Sequence, residues 1–199
     1  CSRILLRDSS QTLYLRGLNP EAPSLAKLID LLRQEIDRLA PEKVICIGTS
    51  GGGFAAILAG HLLKVDQVHA FGPTVYASIW AVLRNRDWHQ LRNRWYVLLA
   101  GAVVLPRSVK RLLDLKPVLN DWNGRTNYTI HVCTDNPVDL GRAEYLSECP
   151  HVRLARYDCK GHSVTNHLVR ERLLAKVLQE VGAPMERAPS SPEAVTVQS

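Results

Sequence analysis

Apolar side chains recur at Leu25, Leu28, Ile29, Leu32, Ile36 and Leu39, a spacing that puts them on one face of a helix. Pro20 and Pro23 open this segment and Pro41 closes it, so a helix is predicted from about Pro23 to Ala40. The pattern then changes period. Residues 43–47 form a short apolar run and predict a buried strand, residues 51–63 a helix, and residues 67–71 a second strand. After Pro73 the alternation stops: residues 74–120 hold helix-like pieces rich in Trp and Arg, with no clear strand. It resumes with a strand at 128–133, a helix at 139–148, a strand at 152–157 and a helix from about 163 to 181, with Gly182 as its stop signal. Two further short strands are predicted at 4–6 and 12–16, joined through Asp8-Ser9-Ser10, and the Pro- and Ser-rich stretch 184–199 is expected to be a disordered tail. Short apolar strands alternating with amphipathic helices predict an α/β fold, a three-layer α/β/α sandwich around a mostly parallel sheet. Residues 1–183 are expected to form one domain, with residues 74–120 inserted into it.

Composition narrows the picture. The 199 residues, 46% hydrophobic, are enough for one packed core. The five cysteines (Cys1, Cys46, Cys133, Cys149, Cys159) are odd in number and lack C-x-x-C spacing. They predict no disulfide framework, no zinc site and a reducing compartment. No charged segment precedes a long apolar stretch at the start, so no signal peptide is expected. The longest apolar run, Trp95 to Pro106, is too short to span a bilayer. A cytoplasmic location follows as the expectation. Between Arg84 and Arg125 stand nine basic and three acidic residues, an excess equal to the net charge of +6 of the whole chain. That stretch reads either as a solvated surface or as a field for an anionic substrate.

The chemistry-bearing segment is Lys43-Val44-Ile45-Cys46-Ile47-Gly48-Thr49-Ser50-Gly51-Gly52-Gly53. It predicts a strand, a Gly-x-Ser-x-Gly turn and a helix, the order of a nucleophile elbow. The turn asks for small neighbours, which Gly48 and Gly52 supply. A serine hydroxyl needs a base to take its proton. Ligands and catalytic groups of such sheets stand just beyond the carboxyl ends of strands. Of seven histidines only His162, after Gly161, meets that condition; His61 and His167 fall in helices, His69 and His131 in strands, and His89 and His151 read as surface residues. An orienting acid after strand 128–133 is either Asp135, two residues past the strand, or Asp139, which could equally cap the next helix.

These residues resemble a small α/β-hydrolase over 12–72 and 126–181, through Gly48-Thr49-Ser50-Gly51-Gly52, the aspartate loop and Gly161-His162. The stretch Asp139-x-x-Arg-Ala-Glu-Tyr-Leu with Gly161-His162-Ser163-Val164 is further similar to esterase-like hydrolases found beside bacterial polysaccharide and glycosyltransferase genes. The resemblance implies Ser50 as nucleophile, His162 as general base and acid, and Asp135 or Asp139 as its orienter. It implies oxyanion donors at the Gly51 amide and at Gly17 or Leu18. The order Ser, Asp, His agrees with that scaffold. The two strands that commonly begin the fold are missing, and Arg16-Gly17-Leu18-Asn19 stands where a His-Gly-Gly motif would.

Residues 74–120 occupy the place of a cap, where Trp80, Arg84 and Trp88 are candidate substrate contacts for an anionic or glycan-linked ester. No cofactor and no metal are expected. The implied activity is that of a serine hydrolase cleaving an ester or thioester; acyl transfer, or a non-catalytic binding module on the same fold, are the alternatives. A nucleotide-binding domain disagrees with the absence of G-x-G-x-x-G and G-x-x-x-x-G-K-[ST], and nucleic-acid binding rests on charge alone.

Overall fold

The computed structural model describes residues 2–8, 12–92, 95 and 105–177. Four strands, β1 (Ile45–Thr49), β2 (Gln67–Phe71), β3 (Asn127–Cys133) and β4 (Val152–Tyr157), form one sheet in the order β1-β2-β3-β4, with every pair parallel. Helices α1 (Leu25–Leu39) and α2 (Gly51–Leu63) flank β1, and α2 packs on β1 and β2. Helix α7 (Pro137–Ser147) crosses from β3 to β4, and α8 (Val164–Arg170) follows β4. Between β2 and β3 lie α3 (Ile79–Arg84), a helical segment α4 at 88–92, α5 (Arg107–Lys110) and α6 (Leu115–Asn120).

Strand alternation explains the layers. Val68, Ala70, Tyr128, Ile130, Val132 and Leu154 point to one face and join Phe54, Ile57 and Leu58 of α2 and Ala143 and Leu146 of α7 in the main core. Phe71, Cys133 and Tyr157 point to the other face and pack with Val164 and Leu168 of α8. Both faces of the central strands are thus buried, as parallel sheets require.

Two expectations are corrected. Residues 4–6 and 12–16 form no strand: 12–16 is a turn in which Leu13 and Tyr14 take φ of 58° and 62°, and Tyr14 N–H donates to Asp8 Oδ2 at 2.9 Å. The Leu13–Leu15 alternation that mimics a strand instead drops both leucines into the core. Cysteine spacing misled as well, because Cys133 and Cys159 form a disulfide. Cys133 ends β3 and pairs in register with Tyr157 of β4, so Cys159 emerges beside it although 26 residues separate the two in sequence. With this bridge present, the cysteines give no ground for a reducing compartment. Among the described residues no helix is long and apolar enough to cross a membrane. The helix expected from about 163 to 181 stops at Arg170, where the chain turns with Arg172 at φ of 57°, and the tail 184–199 lies outside the described residues.

The second face carries a buried polar ladder. His69 Nδ1 lies 3.0 Å from His131 Nε2, and His131 Nδ1 lies 2.9 Å from the Tyr157 hydroxyl. Burial disfavours the imidazolium form and pulls His69 down to about 4 and His131 to about 3, helped by Lys43 and Arg153 for the first and by His69 and Arg153 for the second. In the unfolded chain both histidines titrate near 6.5. The unfolded state therefore binds more protons below that pH, so this contribution is complete above about 6.5 and is lost as pH falls. We expect stability to drop by on the order of 5 kcal/mol between pH 7 and 4.5. Urea unfolding across that range checks it, and a slope unaltered in a His69→Gln/His131→Gln variant would assign the loss elsewhere.

Candidate active site

The turn from β1 into α2 sets Ser50 apart from its neighbours. Its φ of 53° and ψ of −116° lie off the regions open to most side chains, the strained backbone of an elbow. The strain is held on both sides. Ser50 N–H donates to Phe71 O at 3.0 Å, and Ser50 O accepts from the Gly53, Phe54 and Thr74 amides. A Cβ on Gly48 would stand 2.0 Å from Gly52 O, so only glycine lets the helix leave this close to the strand. At Gly52, expected to be small for the same reason, a Cβ would meet nothing within 4 Å.

The loop after β4 returns over this elbow. His162 Nε2 lies 3.1 Å from Ser50 Oγ, and His162 Nδ1 lies 2.5 Å from Asp139 Oδ2. Thr49 and Thr165 hydroxyls meet at 3.1 Å and tie the elbow to α8, just beyond the histidine. Gly72, with φ of 49°, leaves room under the same loop; a Cβ there would stand 3.1 Å from His162 O. Ser50, Asp139 and His162 are thereby brought to one rim, the carboxyl ends of β1, β3 and β4. An imidazole set between a hydroxyl and a carboxylate can take up the hydroxyl proton while the carboxylate fixes its tautomer.

The carboxylate at the histidine is Asp139, not Asp135. Asp135 is exposed on the turn after β3, whereas Asp139 lies inside the first turn of α7 and is only 5% exposed. Asn136 caps that helix by accepting from the Val138 and Asp139 amides, and its Nδ2 donates to Asp139 Oδ2 at 2.8 Å. Two residues beyond a strand is a reachable position, but here the chain turns outward before the helix brings its next carboxylate back.

Arg142, one turn along α7, is a group the sequence reading did not single out. Its Nη1 lies 3.5 Å from Asp139 Oδ1; its Nε donates to Asp87 Oδ2 at 2.8 Å and its Nη2 to Gln90 Oε1 at 3.2 Å. The Tyr76 hydroxyl and the Gln90 amide complete the coordination of Asp87. All of these groups are buried, so one guanidinium joins the Asp139 carboxylate to the segment between β2 and β3. The Asp139-x-x-Arg spacing, i to i+3 on one helix face, was the signal available for it. Removing one partner of a buried ion pair leaves uncompensated charge. Arg142→Met is expected to lower unfolding stability by about 3–5 kcal/mol; a loss under about 1 kcal/mol in urea titration would show the pair to be dispensable.

Other expected site residues fall elsewhere. The Gly17 amide donates to Tyr14 O at 3.0 Å and the Leu18 amide to Ala22 O at 2.9 Å, so neither N–H is open to an oxyanion. The residue of that loop that reaches the elbow is Leu13, whose Cδ2 lies 3.0 Å from where a Cβ of Gly51 would stand. Gly51 opens α2, and the first amides of a helix have no acceptor within it. Trp80 and Trp88 are 78% and 61% exposed. Arg84 is held by Asp114 and the Tyr145 hydroxyl. None of these three lines the cavity at Ser50: α3 packs Ala81 and Val82 inward and leaves Trp80 to solvent, and Trp88 of α4 is exposed as well.

That cavity has a volume of about 290 Å³. Beside Ser50, Asp139 and His162 it is lined by Thr74, His89, Gln90, Asn136, Val138 and Arg142. His89, read from the sequence as a surface residue, is exposed but faces this space.

Known structures share this architecture. MGS-MChE2, an α/β hydrolase enzyme from the metagenome of sediments from the lagoon of Mar Chica, Morocco, aligns with a TM-score of 0.53 and 20% identity over 86% of this chain and 76% of its own. The capsule O-acetyltransferase of Neisseria meningitidis serogroup A aligns with a TM-score of 0.56 and 15% identity over 84% of this chain and 68% of its own. MGS-M2, an α/β hydrolase enzyme from a Medee basin deep-sea metagenome library, aligns with a TM-score of 0.52 and 15% identity over 82% and 74%. No family model and no curated protein matches the chain. At these identities the likeness is one of fold. The chain has the α/β-hydrolase fold, one that serves both hydrolases and an O-acetyltransferase among these neighbours.

Proposed function

We propose that the protein is a serine hydrolase that cleaves a carboxylic ester through an acyl-enzyme, with Ser50 as nucleophile, His162 as general base and acid, and Asp139 as the carboxylate that orients the histidine. The observation that carries this reading is the continuous chain from Ser50 Oγ to His162 Nε2 at 3.1 Å and from His162 Nδ1 to Asp139 Oδ2 at 2.5 Å, built on a strained elbow.

As Ser50 Oγ bonds to the acyl carbon, its proton passes to His162 Nε2. The carbonyl oxygen gains charge, which the Gly51 amide meets as hydrogen-bond donor. The C–O bond to the alcohol then breaks and His162 returns the proton to the leaving oxygen. Water, giving its proton to the same imidazole, attacks the acyl carbon and releases the carboxylic acid and free Ser50. An alcohol in place of water would give acyl transfer by the same steps, and the O-acetyltransferase among the fold neighbours supports keeping that outcome beside hydrolysis. A fluorophosphonate probe tests the reading, since it labels an activated serine. Wild type is expected to label and Ser50→Ala not; an unlabelled wild type would favour a non-catalytic module instead.

A further inference from the structure

The cavity above Ser50 contains polar groups that the reaction does not use. Thr74 is only 4% exposed, lines the cavity, and its hydroxyl forms no hydrogen bond among the described residues. Its position is fixed, because its own amide donates to Ser50 O at 3.1 Å. Gln67 Oε1 is the one enclosed side-chain oxygen or nitrogen without a partner among the described residues, so the Thr74 hydroxyl is open to the cavity and available to a ligand. The His89 imidazole, from α4, also faces this space.

The rest of the lining restricts what can occupy it. Arg142 is committed to Asp87, Asp139 and Gln90, so the lining offers no unpaired cation for a carboxylate or phosphate among the described residues. Among the described residues that line it, Val138 is the one aliphatic side chain. The volume of about 290 Å³ sits at the lower end of the ~300–1,000 Å³ typical of ligand sites. Small size excludes bulk, neutrality excludes strong anions, and hydroxyl and imidazole groups match hydroxyls.

The geometry points to Thr74 and His89 as a subsite for the alcohol part of the substrate, making the preferred substrate a short-acyl ester of a neutral, hydroxyl-rich alcohol such as a sugar or polyol. This rests on the serine hydrolase reading above and adds the specificity of the same site. Thr74 donates to or accepts from a substrate hydroxyl next to the scissile bond, and His89 binds a second hydroxyl from the solvent side. The arginines at 84, 86 and 92 lie outside the cavity and take no part in this selection.

The test compares hydrolysis of an O-acetylated methyl glucoside, butyl acetate and butyl octanoate by wild type, Thr74→Val and His89→Leu, with fluorophosphonate labelling of each. Thr74→Val keeps the shape and removes the hydroxyl; His89→Leu alters an exposed position and keeps the protein testable should Thr74→Val misfold. Wild type should prefer the glucoside over both butyl esters. In each variant the ratio of kcat/KM for the glucoside to that for butyl acetate should fall, about tenfold for Thr74→Val, the size of one lost neutral hydrogen bond. An unchanged ratio in labelled variants overturns the subsite while leaving the hydrolase reading intact. So does a wild-type preference for the octanoate, or loss of labelling in both variants, which would place the two residues in the reaction itself. A wild type that neither labels nor turns over any ester overturns the hydrolase reading and the subsite with it.

Discussion

Replacing Ser50 by alanine is expected to lower ester turnover by roughly six orders of magnitude, as loss of the nucleophile does in other serine hydrolases. The effect is large because no other side chain can take its place at the elbow. The backbone there has φ of 53°, fixed by hydrogen bonds to Phe71, Gly53, Phe54 and Thr74, and it presents a single hydroxyl to His162. Alanine fits the same turn, so secondary structure should be retained and the loss confined to chemistry. Steady-state hydrolysis with circular dichroism on the same sample checks this. Turnover within tenfold of wild type, with contaminating esterase excluded, would remove Ser50 from the reaction.

Asp139→Asn is expected to lower turnover by about four orders of magnitude, and Asp135→Asn by less than twofold. The carboxylate holds the Nδ1 proton of His162 and so leaves Nε2 bare toward Ser50. An amide that turns its NH2 toward Nδ1 imposes the opposite tautomer, and the base is lost while the fold remains. In the wild type Asn136 donates to the same oxygen that faces the histidine and so holds it in place. Asp135 sits in the turn with no part in the arrangement. Equal losses in the two variants would place the acid elsewhere.

Much of this arrangement was legible in the sequence where local pattern and tertiary role coincide. The strands at 67–71 and 152–157 and the helix at 51–63 appear where their apolar runs put them. Gly48-Thr49-Ser50 announced the elbow because a steric demand, the 2.0 Å approach to Gly52 O, leaves glycine no substitute. His162 was legible because a sheet of parallel strands offers its carboxyl edge to few residues. The misses share one cause: direction within an irregular segment is not encoded in residue type. Trp80 and Trp88 suggested a binding surface, yet α3 and α4 leave them exposed to solvent, and α4 brings His89 to the cavity instead. Leu13 and Leu15 alternated like a strand while forming a turn. Gly17 and Leu18 stood at the expected distance along the chain, but their amides were spent on Tyr14 and Ala22. Asp139 against Asp135 was a choice between two faces of one loop, settled by an Asn136 cap that starts the helix at Pro137.

The bridge from Cys133 to Cys159 has a consequence for the durability of this chemistry. The carboxylate belongs to a covalently closed ring, since Asp139 falls within the 133–159 segment, and His162 follows three residues beyond its closing cysteine. A ring of that length removes about 3–4 kcal/mol of freedom from the unfolded chain on the loop-entropy account. Through Cys159 the chain that carries His162 is tied to the end of β3, from which the turn leads to Asp139. A thiol reductant acts on the leash of the base while leaving the elbow as it was.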